Sequence, residues 1–154
     1  MPDQYALDEL QRFGLAVYAS AGVPAADAAV VVDAQLESDC RGVDTHGFQR
    51  LPWYVDRLVA GDNNPRPRIT VVKDTAATVT LDGDGGLGQL VCTRLTEAVI
   101  EKAAATGVAV GVARRSNDWG CGARYPRLAA RAGLGSFATT TSIPTLAPFG
   151  TRTR

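Results

Sequence analysis

The chain has 154 residues, enough for one good-sized domain or two small ones, and ~70% of its unfolded surface would be buried if it folds alone. Apolar residues make up 45% and charged residues 21%, and 16 basic residues balance 16 acidic ones, so nothing in the charge suggests a phosphate-backbone partner. No apolar run approaches the ~20 residues of a membrane span, and MPDQYALDEL lacks the basic and apolar regions of a signal peptide.

Three helical segments come first. Asp8 is placed to cap a helix carrying Leu10, Phe13 and Val17 at helical spacing and ending near Gly22. Pro24 suits the first turn of a second helix running towards Ser38. The third begins near Phe48, carries Leu51, Tyr54, Val55 and Leu58, and stops at Gly61, with Pro52 in its first turn. After the breaker-rich Asp62–Pro67 the pattern changes: Ile69–Val72 and Ala77–Leu81 read as short strands, and Gly88–Thr106 as a helix ended by Gly107. Val108–Ala113 is an apolar run expected of a strand covered on both faces, Gly122–Ala132 a short helix, and Ser136–Thr141 a last strand. The order α-α-α, then β-β-α-β-α-β, predicts an α/β protein: a helical part over residues 1–68 and an α/β part over 69–154.

The only histidine, His46, stands between Thr45 and Gly47 where one helix has ended and another begins. Imidazole exchanges a proton near neutral pH, and a neighbouring hydroxyl can orient or relay it. Arg50, at i+4, would share a helical face and could clamp a carboxylate with two parallel hydrogen bonds. The pattern points to chemistry on a small organic acid; the plainer reading is a histidine at a helix start that bonds only backbone, beside an exposed arginine. Cys40, Cys92 and Cys121 are odd in number and far apart, and a single histidine gives no zinc-ligand spacing. They read as reduced thiols filling apolar space in a cytoplasmic protein, with no metal site.

Gly83-x-Gly85-x-x-Gly88 matches the dinucleotide fingerprint. Against a Rossmann fold stand Asp84, a negative charge where a pyrophosphate would lie, and the absence of a carboxylate after the next strand, which ends in Arg114-Arg115. Arginine there could instead favour a 2′-phosphate. Ser116-Asn117-Asp118-Trp119-Gly120 lies in a strand-to-helix loop, a common ligand position in open α/β sheets.

RGVDTHGFQRLPWYVDRLVAG, DGDGGLGQ, GVAVGVARRSNDWGCGARYPRLAARAGLG and SIPTLAPFG occur in an order that resembles the type-2 malate/L-lactate dehydrogenase family, which includes ureidoglycolate, sulfolactate and 2,3-diketogulonate relatives. The resemblance implies a partial mixed sheet in a non-Rossmann domain that binds NAD or NADP. It implies hydride transfer to or from a small 2-keto, 2-hydroxy or 2-imino acid, and a homodimer. By the same resemblance His46 is the proton donor, Thr45 its support and Arg50 the substrate-carboxylate clamp. Asn117, Asp118, Trp119, Gly120, Cys121 and Gly122 would then lie along the cofactor. The loop departs from the family's usual Ser-Asn-His-Phe-Gly: Trp119 keeps an aromatic surface, but Asp118 replaces a neutral donor with an anion that could repel a phosphate. Asp118 could equally be the N-cap of the next helix. Thr45 replaces the usual serine and keeps its hydroxyl. Family members are roughly twice this length. The chain is therefore expected to be an N-terminal portion of such an enzyme or, alternatively, a truncated, non-catalytic relative acting as a binding or dimerisation module.

Overall fold

The computed structural model describes residues 4–142, so the family-like segment at 143–150 lies outside the described residues. The helical part comprises α1 (Leu7–Ser20), α2 (Ala25–Asp39) and α3 (Leu51–Val59), with two single 3-10 turns, Asp44–His46 and Phe48–Arg50, between α2 and α3. Residue 6 rather than Asp8 caps α1; Asp8 sits in the first turn, where its charge suits the helix dipole, and pairs with Arg12 one turn on at 3.2 Å. Pro24 is the N-cap of α2, one position ahead of the expected first turn.

The second part is β1 (Thr70–Asp74), β2 (Thr78–Gly86), α4 (Gly88–Thr106), β3 (Val110–Ser116) and α5 (Arg124–Arg131). β1 pairs antiparallel with β2 across a turn closed by Thr75 and Thr78, and β2 pairs parallel with β3, so the three-stranded sheet is mixed, in the order β1-β2-β3. A parallel pair cannot be joined by a hairpin; α4 makes the crossover and lies on one face. Val79 and Leu81 of β2 are buried on that face, and Gly111 of β3 lies against Leu95 and Val99 of α4.

Two expectations for the end of the sheet fail. β3 is not covered on both faces: Val110 and Val112 are 58% and 54% exposed, because α4 covers only the side of Gly111 and no described element covers the other. Ser136–Thr141 forms no strand and is exposed throughout, with Phe137 at 90%. Its phenylalanine and threonines favour extended backbone, but β propensity is realised only through a paired, packed neighbour, and this segment pairs with none.

The core gathers Tyr18, Val23, Ala28, Val31, Val32, Leu51, Tyr54 and Leu58 from the helical part together with Leu87 and Leu90 at the start of α4. The start of α4 therefore packs directly against the helices that carry the histidine turn. No helix among the described residues is long and apolar enough to cross a membrane.

At the β2–β3 register, Arg114 and Arg115 each donate to Asp82, at 3.0 and 2.7 Å. Chiefly through the Arg115 hydrogen bond, the Asp82 carboxyl is lowered to about 2. A depressed folded-state pKa stabilises the fold above the unfolded value and is lost as pH falls through the folded one. With an unfolded value of about 3.9, that contribution should disappear between roughly pH 4 and pH 2. Melting temperature against pH should therefore fall less steeply across that window for Asp82→Asn than for the unchanged chain.

Candidate active site

The turn that carries His46 is built by α2. Apolar residues Ala28, Val31 and Val32 share the buried side of this helix with Gln35 and Ser38. Gln35 is fully buried, accepts a hydrogen bond from the Tyr18 hydroxyl at 2.9 Å and donates to the carbonyl of Gly47 at 3.1 Å. Asp39, at the end of α2, accepts the backbone N–H of Phe48 at 3.0 Å. Burial raises its carboxyl above the ordinary value, partly opposed by that backbone bond. Two side chains of one helix thus hold both polar groups of the Gly47–Phe48 peptide bond.

Gly47 is also the reason the helical-face argument fails. Its backbone is extended (φ −93°, ψ −145°), so Asp44–His46 and Phe48–Arg50 are separate 3-10 turns, and His46 and Arg50 do not share a continuous helix. They are connected in another way. Thr45 Oγ1 lies 3.0 Å from His46 Nδ1, either atom donating according to the imidazole tautomer, and Thr45, Gln49, Arg50 and Trp53 line one open cavity of about 330 Å³. The Arg50 guanidinium lies 4.8 Å from the Trp53 ring centroid, with Arg57 4.9 Å from the same ring.

Asp118 is not the cap of α5; that position is Ala123, which makes no side-chain cap. The Asp118 carboxylate turns the other way. Oδ2 accepts from Arg50 Nη2 at 3.1 Å, and Oδ1 accepts from the Tyr54 hydroxyl at 2.7 Å and from the N–H of Gly120 at 2.8 Å. Burial pushes the Tyr54 phenol up, and its bond to the Asp118 anion adds to the shift. Around Asp118 the loop is fastened at several points. Asn117 donates to the Gly85 carbonyl at 2.7 Å, Trp119 stacks on Tyr125 at 5.0 Å, and the Tyr125 hydroxyl donates to the Trp119 carbonyl. Gly122 packs beneath the Trp119 ring, and Cys121 is half-buried. Of the remaining thiols, Cys40 is exposed, and burial pushes that of Cys92 up to about 11, in keeping with an inert filler.

The fingerprint glycines have another use. Gly83–Gly86 belong to β2, and the backbone oxygens of Asn117 and Asp118 crowd Gly88 so closely that a Cβ there would overlap them. Carbonyl oxygens therefore stand at the start of α4, where a dinucleotide fold would set a pyrophosphate. Asp84 is taken up by Asn64, the N–H of Arg68 and Arg115. Arg114 and Arg115 each donate to Asp82, and both side chains remain more than half exposed.

Tyr18, Gln35, Asp39 and Tyr54 are the positioning residues that motif reading missed. For Gln35 a signal existed: an amide at core spacing on an apolar helix face must have a buried partner. Gly47→Ala would drive a methyl into the Asp39 carboxylate, and Gln35→Leu would leave the Tyr18 hydroxyl and Gly47 carbonyl without their partner. Each should lower stability in urea unfolding by about 1–3 kcal/mol.

The malate/L-lactate dehydrogenase family model matches residues 5–154. Over 143 residues the chain is 40% identical to a malate dehydrogenase of Pyrococcus horikoshii, covering 93% of this chain and 40% of that protein. Over 144 residues it is 37% identical to an L-sulfolactate dehydrogenase of Methanocaldococcus jannaschii, covering 94% of this chain and 40% of the relative. The solved structure of malate dehydrogenase from Pyrococcus horikoshii OT3 superposes with a TM-score of 0.83 at 39% identity, over 85% of this chain and 38% of that one. The chain spans about 40% of the length of the curated relatives it matches. Agreement of sequence over nearly the whole chain and of fold over most of it leads to one conclusion: the chain belongs to the malate/L-lactate dehydrogenase family.

Proposed function

We propose that this chain carries the acid-binding and proton-donating side of an oxidoreductase that transfers a hydride between NAD or NADP and a small 2-keto/2-hydroxy (or 2-imino) acid. The observation that carries the reading is the Thr45–His46 contact beside a cavity that Thr45 shares with Arg50. Arg50 holds the substrate carboxylate, and Trp53 stiffens the guanidinium by lying against it. As the C2 carbonyl gains electron density, His46 gives its proton to the oxygen, and Thr45 fixes the tautomer that makes this possible. In the reverse direction the imidazole takes that proton back.

When bound, the nicotinamide supplies or accepts the hydride. The residues fit such a group. Asn117–Gly122 set the aromatic Trp119 beside two glycines, and against Gly120 the buried Gln89 amide has no hydrogen-bond partner among the described residues. Three unpaired cysteines accord with a cytoplasmic setting. The second reading, a non-catalytic dimerising module, draws on the exposed Val108, Val110 and Val112 of β3 and its approach. The same surface supports a homodimer under either reading.

The kinetic test joins this chain to the remaining portion of a relative. His46→Ala should lower kcat by about 10²–10⁴-fold while cofactor affinity changes little. Arg50→Lys should instead raise KM for the acid, because an ammonium cannot make the two-pronged carboxylate bond. An unchanged kcat in folded His46→Ala removes the proton-donor role. For the chain itself, sedimentation at micromolar concentration should give a dimer; a compact, stable monomer would count against the exposed valines as an interface.

A further inference from the structure

Arg50 meets a carboxylate before any substrate arrives. Asp118 engages its Nη2, yet the pair is not sealed: the Arg50 side chain is 34% exposed and that of Asp118 28%. Arg50 lines the cavity, and Asp118, bonded to it and part-exposed, stands next to that lining. Among the residues lining the cavity, Thr45, Gln49, Arg50 and Trp53, arginine is the only cation. A second cation, Arg57, lies over the same Trp53 ring and pairs with Asp62 at 3.6 Å. Beside the Thr45–His46 turn the site offers one shared positive charge, at Arg50, and one negative charge, at Asp118.

We propose that Asp118 sets the substrate class. The chain takes a monocarboxylate 2-keto or 2-hydroxy acid whose side chain bears an ammonium or another hydrogen-bond donor directed at Asp118, and it discriminates against acids with a second anionic group. This rests on Arg50 being the carboxylate clamp, as proposed above. One carboxylate is satisfied by the exposed edge of the guanidinium. A second carboxylate or a sulfonate, as in malate or sulfolactate, would face the Asp118 anion while Arg50 is already shared and Arg57 is paired, and like charges in a partly desolvated opening repel. A donor substituent gains instead a charge-assisted bond to an oxygen that is already held in place by Tyr54 and Gly120. Asp118 thus acts by opposing a wrong substrate as well as by attracting the right one.

The test follows the Trp53 indole N–H resonance of the 154-residue chain during titration with lactate, malate and 4-amino-2-hydroxybutyrate, with and without NADH. The amino acid derivative should bind most tightly and malate at least tenfold more weakly than it. Asp118→Asn and Asp118→His should each strengthen malate binding at least tenfold and weaken the ammonium-bearing acid, which a merely structural role for Asp118 would not do. Malate binding as tightly as the ammonium-bearing acid overturns the proposal from the unchanged chain alone, whatever the folding of the variants. So does a ranking that neither variant moves, while the clamp role of Arg50 survives that result. If none of the three acids shifts the resonance in any of the proteins, Arg50 is no acid clamp and both proposals fall.

Discussion

The close approach of the Asn117-Asp118 backbone to the start of α4 governs where everything else in the site lies. At the start of α4 even a methyl is too much: a glycine at position 88 lets two peptide oxygens rest on it. Asn117 then fastens the loop to the Gly85 carbonyl at the end of β2. With the loop pressed against α4, and α4 packed through Leu87 and Leu90 into the helical core, the Asp118 side chain arrives within hydrogen-bond distance of α3. A loop raised by an ångström or two would leave the Tyr54 hydroxyl buried and unpaired, a loss of about 1–3 kcal/mol.

The histidine turn obeys a similar rule from the opposite side. Two 3-10 turns in succession leave backbone groups that no helix satisfies, and a buried helix face must supply partners for them. Gln35 and Asp39, one turn apart on α2, do so for Gly47 and Phe48. Tyr18 of α1 fixes the Gln35 amide in the orientation that donates to Gly47. The Arg50–Trp53 edge and the Thr45–His46 turn are therefore held by different helices, α3 and α2, that share one core.

Local signals were legible where a single segment decides the outcome. Gly88–Thr106 is the helix predicted, because neither Gly nor Pro interrupts residues 89–106 before Gly107, which takes the left-handed φ of +81° at the C-cap. The hairpin around residue 75 and the parallel crossover also follow from the order of elements. What failed depended on partners that sequence spacing does not name. Ser136–Thr141 had strand composition and no neighbour; Val108–Ala113 had the apolarity of a doubly covered strand and only α4 to cover it. The i+4 relation of His46 and Arg50 assumed a helix that the extended Gly47 interrupts. Asp118 could be read as a cap or as an unwelcome charge, but its pairing with Arg50, 68 residues earlier in the chain, is a tertiary fact.

That pairing is a small part of what holds the loop, and this separates fold from specificity. At the far end of the loop, Arg124 of α5 is buried and donates to Glu37 at 2.7 Å and Asp33 at 2.8 Å, both on α2. Arg127 adds a second bond to Glu37. Burial of Glu37 works against its charge, but these hydrogen bonds from Arg127 and Arg124 outweigh it and leave the carboxyl lowered. The Trp119–Tyr125 stack and Asn117 secure the middle and the near end. A half-exposed ion pair such as Arg50–Asp118 contributes only about 0–1 kcal/mol by itself, against several independent anchors. The residue at position 118 can therefore change its charge while the loop keeps its path, and the same fold can hold an anion or a neutral group beside Arg50.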